Sequence, residues 1–120
     1  MTQSRIKHQP ADLLEHEFAQ ERASALGRLG RALEAALAAI TEFDARAKPE
    51  TGSTERREAR AKLVARASVA LWHFAVQREV CGLRDIHHVL RDYRVPREVA
   101  ARMGALPQNS PQSHKLTYKP

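Results

Sequence analysis

Cysteine, aromatic residues and long apolar runs are all scarce in this chain, and each scarcity removes a class of protein. There is one cysteine, Cys81. No internal disulfide framework can form, and the composition fits a reducing compartment. No stretch approaches the ~20 apolar residues of a membrane span. The N-terminal MTQSRIKHQPADLLEHEF lacks the apolar core of a signal peptide. Gly-rich phosphate loops, Ser-His-Asp patterns and internal repeats are missing too. These gaps predict a soluble cytoplasmic protein without a cofactor, and they argue against an enzyme.

What remains is a helix-former's composition. Alanine, leucine and arginine dominate, and aromatics supply only 5% of 120 residues, enough chain for one domain with a modest core. The net charge of +6 is unevenly spread: residues 11–47 carry seven acids against four bases, residues 63–120 nine bases against four acids. Such polarity favours association with a second copy or with a polyanion, although a solvated arginine-rich surface would look the same.

Apolar periodicity sets the predicted architecture. Residues 1–9 are polar and expected to be flexible. Pro10 and Asp12 then open a helix that no proline interrupts up to Ala47. Along it Leu26, Leu29, Leu33, Leu37 and Ile40 recur at spacings of three and four, flanked by Phe18, Ala25, Ala36 and Phe43. At about 100° per residue this is one apolar stripe, on a rod roughly 50 Å long. Gly27 and Gly30 would let another helix come close. The segment KPETGST (48–54) reads as a turn with Ser53 or Thr54 as cap. A second long helix follows to about Cys81, stopped by Gly82. A short loop between long helices implies an antiparallel hairpin.

Two shorter helices complete the expectation. Leu83, Ile86, Leu90 and Tyr93 form one stripe; Pro96 opens a second short helix that carries Val99 and Met103. The sequence thus predicts an all-α protein. Its single helical domain spans residues 10–104, with the two short helices folded back across one end of the hairpin. The proline-bearing residues 105–120 are expected to be an extended or disordered tail.

The second long helix is apolar on too many sides for one partner. Leu63, Ala67, Ala70, Leu71 and Phe74 form a stripe suited to the first helix, with Val69, Trp72 and Val76 on the far side; VALWHFAV (69–76) is apolar nearly all round, and His73 with the following Gln77 makes a narrow polar sector. A helix apolar all round is buried on more than one side. Val69, Leu71, Trp72, Phe74 and Val76 are therefore the expected packing or dimer interface, and a second copy would complete a four-helix bundle.

Several residues raise sharper alternatives. Asp85, His88 and Asp92 share one helical side and, with His16 and Glu15 or Glu17 from the first helix, are the candidates for a metal site. An exposed ion-pair ladder explains the same pattern. Cys81 continues the apolar stripe, as a buried structural cysteine would, rather than sitting where an activated nucleophile needs to be. Arg22 interrupts the stripe of the first helix, and folding the hairpin brings it near Glu79, a candidate half-buried ion pair. A basic surface made of Arg56, Arg57, Arg60, Arg97 and Arg102 would suit nucleic acid. Residues 85–103 have about the lengths of a helix-turn-helix, and VPREVAARMG sounds like the opening of many bacterial DNA-binding domains. The proline-rich ALPQNSPQS that follows cannot supply a recognition helix.

The segments QERASALGRLGRALEAAL, LWHFAVQREVCGLRD and DYRVPREVAARMG together resemble a small group of bacterial proteins of unknown function, over most of residues 13–105. That resemblance implies a self-standing domain and transfers no activity, cofactor or site. The leading expectation is a non-enzymatic, homodimeric helical protein that binds protein or serves a structural role. The alternative is a small basic nucleic-acid-binding protein.

Overall fold

A computed structural model describes residues 10–46 and 52–103. The expectations for residues 1–9 and for the tail 105–120 lie outside these. The described residues form four helices and no strand: α1 (Pro10–Ala45), α2 (Thr54–Val80), α3 (Ile86–Asp92) and α4 (Arg97–Met103). The all-α class and the two packed long helices agree with the sequence.

Local chemistry explains the ends of the helices. Ser53 caps α2: its hydroxyl accepts the Arg56 N–H at 3.1 Å. At the other end Gly82 takes φ 85°, a left-handed value that costs glycine nothing. The N–H of Gly82 donates to the Glu79 carbonyl and that of Leu83 to Arg78, 2.9 and 2.8 Å. This is the paired closure of a Schellman stop. The end of α3 repeats it without glycine. Arg94 sits at φ 53° while its N–H donates to Arg91 and that of Val95 to Leu90.

The short helices start later than the periodicity implied. The Asp85 carboxylate accepts the His87 N–H at 3.0 Å and caps α3 there, so Leu83 falls before the helix and stays exposed. Pro96 stands just outside α4, where its carbonyl accepts the N–H groups of Val99 and Ala100.

One core cluster unites the four helices. Leu33 of α1, Leu71 of α2, Val89 of α3 and Val99 of α4 are all less than 2% exposed. Ile40, Val64, Ala67 and Phe74 join them. Gly30 makes the tightest approach: a Cβ there would lie 3.1 Å from the Tyr93 hydroxyl and 3.2 Å from Phe74 Cε1. The Phe74 and Tyr93 rings meet edge to face, centroids 5.4 Å apart. The C-terminal chain therefore does not cross one end of the hairpin. From Tyr93 at Phe74 it runs back along α2 until Glu98 reaches Arg60.

α1 outruns its partner. The Arg22 carbonyl accepts Gln77 Nε2 at 3.3 Å and the Cys81 thiol at 3.7 Å, where α2 ends. The three helical turns before Arg22 have no packing partner among the described residues, and Leu13, Leu14 and Phe18 are about half exposed.

Two stability predictions follow from the glycines and from Arg94. A Cβ at Gly27 meets only the tip of the flexible Arg31 side chain, at 3.4 Å. Gly27→Ala is expected to stabilise by about 1 kcal/mol through helix propensity, and Gly30→Ala to fall clearly short of that gain because Phe74 and Tyr93 stand in the way. Arg94→Gly is expected to stabilise by about 1 kcal/mol by removing the left-handed penalty. Urea denaturation midpoints measure all three; a destabilising Arg94→Gly would mean that the Arg94 side chain does something its exposure hides.

Candidate functional site

The surface most exposed against its own chemistry is a flank of α2. Val69, Trp72, Val76 and Val80 recur at spacings of three and four and so share one side of the helix. They are 53%, 53%, 40% and 54% exposed, and Leu83 continues the line. Trp72 rests against His73, ring centroids 5.4 Å apart. Among the described residues α4 packs on the neighbouring face, and Arg102 and Met103 border a hollow with Ala65, Ser68, Val69 and Trp72.

Beside the flank, between α1 and α2, runs an apolar groove of about 730 Å³. Its floor is small: Ala32, Ala35, Ala36 and Ala39 of α1 and Ala65 and Ala70 of α2, with Leu29 and Val69 at the sides. Arg66 and His73 supply its polar edge. Of the five residues expected at the interface, the structure splits the set. Leu71 and Phe74 are used inside the chain's own core, whereas Val69, Trp72 and Val76 stay open. Helical spacing along α2 already separates the two groups, with Leu71 and Phe74 on the stripe toward α1 and Val69, Trp72 and Val76 on the far side.

The proposed Arg22–Glu79 pair does not form. Both residues are exposed, and no ion pair joins them among the described residues. The hairpin register was read correctly, since Gln77 and Cys81 do meet Arg22. Those two are four apart and face α1. Glu79, between them, points away by the helical twist, and only the Arg22 backbone takes part. Cys81 itself is half-buried at the end of α2.

The metal candidates are likewise employed elsewhere. Asp85 is a helix cap, with His87 Nδ1 at 3.3 Å and His88 Nε2 at 3.5 Å. The His87 backbone N–H, above all, holds the Asp85 carboxyl below its ordinary range. His16 lies on the unpacked first turns of α1, and no group of three possible ligands gathers among the described residues.

The basic residues divide by task. Arg56 lies over the Phe43 ring, 4.1 Å from its centroid, and donates to the Phe43 carbonyl at 3.1 Å. A cation at the C-terminal end of α1 suits the helix dipole. Arg57 donates to the Gly52 carbonyl at 2.8 Å. Arg60 grips two carboxylates at once: Asp44 through Nε and Nη2 at 2.8 and 3.0 Å, Glu98 through Nη1 and Nη2 at 2.9 and 2.8 Å. Hydrogen bonds from Arg60 are the main reason the carboxyls of Asp44 and Glu98 lie below their ordinary range. Three of the five arginines assigned to a phosphate surface, Arg56, Arg57 and Arg60, thus donate within the fold, and of these Arg57 stays exposed. Arg97 and Arg102 remain exposed on α4. The Asp44–Arg60–Glu98 triad was missed in the sequence because its members lie 16 and 38 residues apart.

Among the described residues the chain is all-helical with an exposed apolar flank on α2, and no helix there is long and apolar enough to cross a membrane. A family model matches residues 6–112, and the chain belongs to that family, a family of unknown function designated DUF6665. No curated protein and no solved structure matches the chain.

Arg60→Gln is expected to cost about 1 kcal/mol near neutral pH, a modest value because the Arg60 side chain is still 32% exposed and solvent screens it. The carboxyls of Asp44 and Glu98 are depressed in the folded state, so their contribution is complete above the unfolded carboxyl range near pH ~4 and is lost as pH falls through the folded values. The stability difference between wild type and Arg60→Gln should therefore shrink below about pH 4. Denaturation midpoints at neutral and acid pH measure this; a difference that grows on acidification would contradict it.

Proposed function

We propose that this chain is a non-enzymatic homodimer of the cytoplasm, a helical protein-interaction or structural module whose contact surface is the open flank of α2 with the adjoining groove. The observation that carries this reading is the line Val69–Trp72–Val76–Val80, left half exposed in a chain with so few aromatics to place. Contiguous exposed apolar surface marks association sites. Tryptophan at such a place supplies large contact area at small entropic cost. Two hairpins joined through this side form the four-helix bundle that the all-round apolar character of VALWHFAV calls for.

Light scattering behind a size-exclusion column, in low and high salt, tests the reading. The expected species is a dimer in both, without excess absorbance at 260 nm. Val69→Glu/Trp72→Glu should give a folded monomer, since both side chains are exposed and neither supports the core. A wild-type monomer would overturn the proposal. A species with 260 nm absorbance that disappears at high salt would replace it with phosphate binding through Arg57, Arg97 and Arg102.

A further inference from the structure

The unpaired start of α1 and the alanine-floored groove have complementary shapes, and both are presented by the same molecule. Pro10–Glu21 extends beyond the end of α2 with Leu14 and Phe18 exposed. The groove further along α1 is walled by large residues but floored by Ala32, Ala36 and Ala39. Phe18, Ala25, Ala32 and Ala39 lie seven residues apart, a spacing that keeps one seam facing a partner helix. Bulk stands at one end of this seam and small side chains at the other. Reversing a second copy about Ala25 sets Phe18 opposite the partner's Ala32, and Leu14 opposite the partner's Ala36. Knobs then meet holes twice, once on each side of a two-fold axis.

Length and charge agree. The twelve residues Pro10–Glu21 rise about 18 Å, and Leu29–Ala39 of the groove about 15 Å. The arm carries Asp12, Glu15, Glu17 and Glu21 and no lysine or arginine. The α2 wall it would meet has no acid between Glu58 and Glu79, and presents Lys62, Arg66 and His73. An acidic helix with two large apolar side chains thus matches a basic, small-floored groove. We infer that the first three turns of α1 are an exchange arm: each copy lays residues 10–21 antiparallel into the α1–α2 groove of a second copy, across a two-fold axis at Ala25. This inference rests on the dimeric reading above and departs from it in one respect: the copies join through α1 and the groove, so the two α2 helices overlap only near the axis instead of lying side by side in a four-helix bundle.

A cysteine on a two-fold axis meets its own counterpart, which supplies the test. In full-length Cys81→Ser protein, Ala25→Cys is expected to give at least ten times more disulfide-linked dimer under mild oxidation than Ala38→Cys, which lies off the seam and is exposed. Phe18→Glu is expected to weaken the dimer at least tenfold without loss of helical circular dichroism, because Phe18 is 56% exposed and outside the core. A dimer by light scattering in which Ala25→Cys links no faster than Ala38→Cys, or which Phe18→Glu leaves intact, would overturn the exchange arm and leave the dimeric reading standing. A monomeric wild type would remove both.

Discussion

The packing of α2 between α1 on one side and α4 on another is the constraint on which the rest of the molecule depends. Leu33, Leu71, Val89 and Val99 come from four different helices and close one cluster with almost no exposure. α3 and α4 have seven residues each, too short to hold as isolated helices in water. They exist because α2 offers a second apolar face to fold against. Gly30 sets how closely they come: without a side chain there, Phe74 and Tyr93 can sit directly on the backbone of α1.

A helix used on two faces also explains what is left uncovered. Val64 and Ser68 are buried and Val64 shares the core cluster with Val99 of α4, whereas the Val69–Trp72–Val76 line is half exposed. Exposure there is a geometric remainder of a thin fold. A chain of this size has few helices with which to cover a stripe that continues around α2, and burial by a second chain is the ordinary remedy for small domains.

Much of the fold was legible from local rules. The hairpin, the Ser53 cap of α2 and the glycine stop after Cys81 follow from apolar spacing and from Ser53 and Gly82, because those signals act within a few residues. The starts of the short helices were less legible: Leu83 belongs to the stripe by spacing, yet the Asp85 cap begins the helix after it. The division of α2 was legible too, since Leu71 and Phe74 fall on the stripe toward α1 and Trp72 on the far side. Which arginines are bound was not, because Arg60 is held by a carboxylate 38 residues away. Arg22 shows how narrow the margin is, since the register was right and a side-chain pair still failed for want of half a helical turn. At Arg94 the expected glycine is absent, and the left-handed stop forms regardless, because the Schellman hydrogen bonds and the anchoring of Tyr93 outweigh a penalty of about 1–2 kcal/mol.

The double grip of Arg60 also bears on the order in which the chain folds. Asp44 is near in sequence and becomes available as soon as the hairpin closes. Glu98 arrives only after a loop roughly twice as long has been drawn in, an entropic cost that grows slowly with length. By then Asp44 has already fixed the guanidinium, so its ordering entropy need not be lost a second time. Arg60 thus ties α4 to the hairpin through a guanidinium that Asp44 already orders. The C-terminal helices are the part of the molecule that can open while the hairpin stays shut.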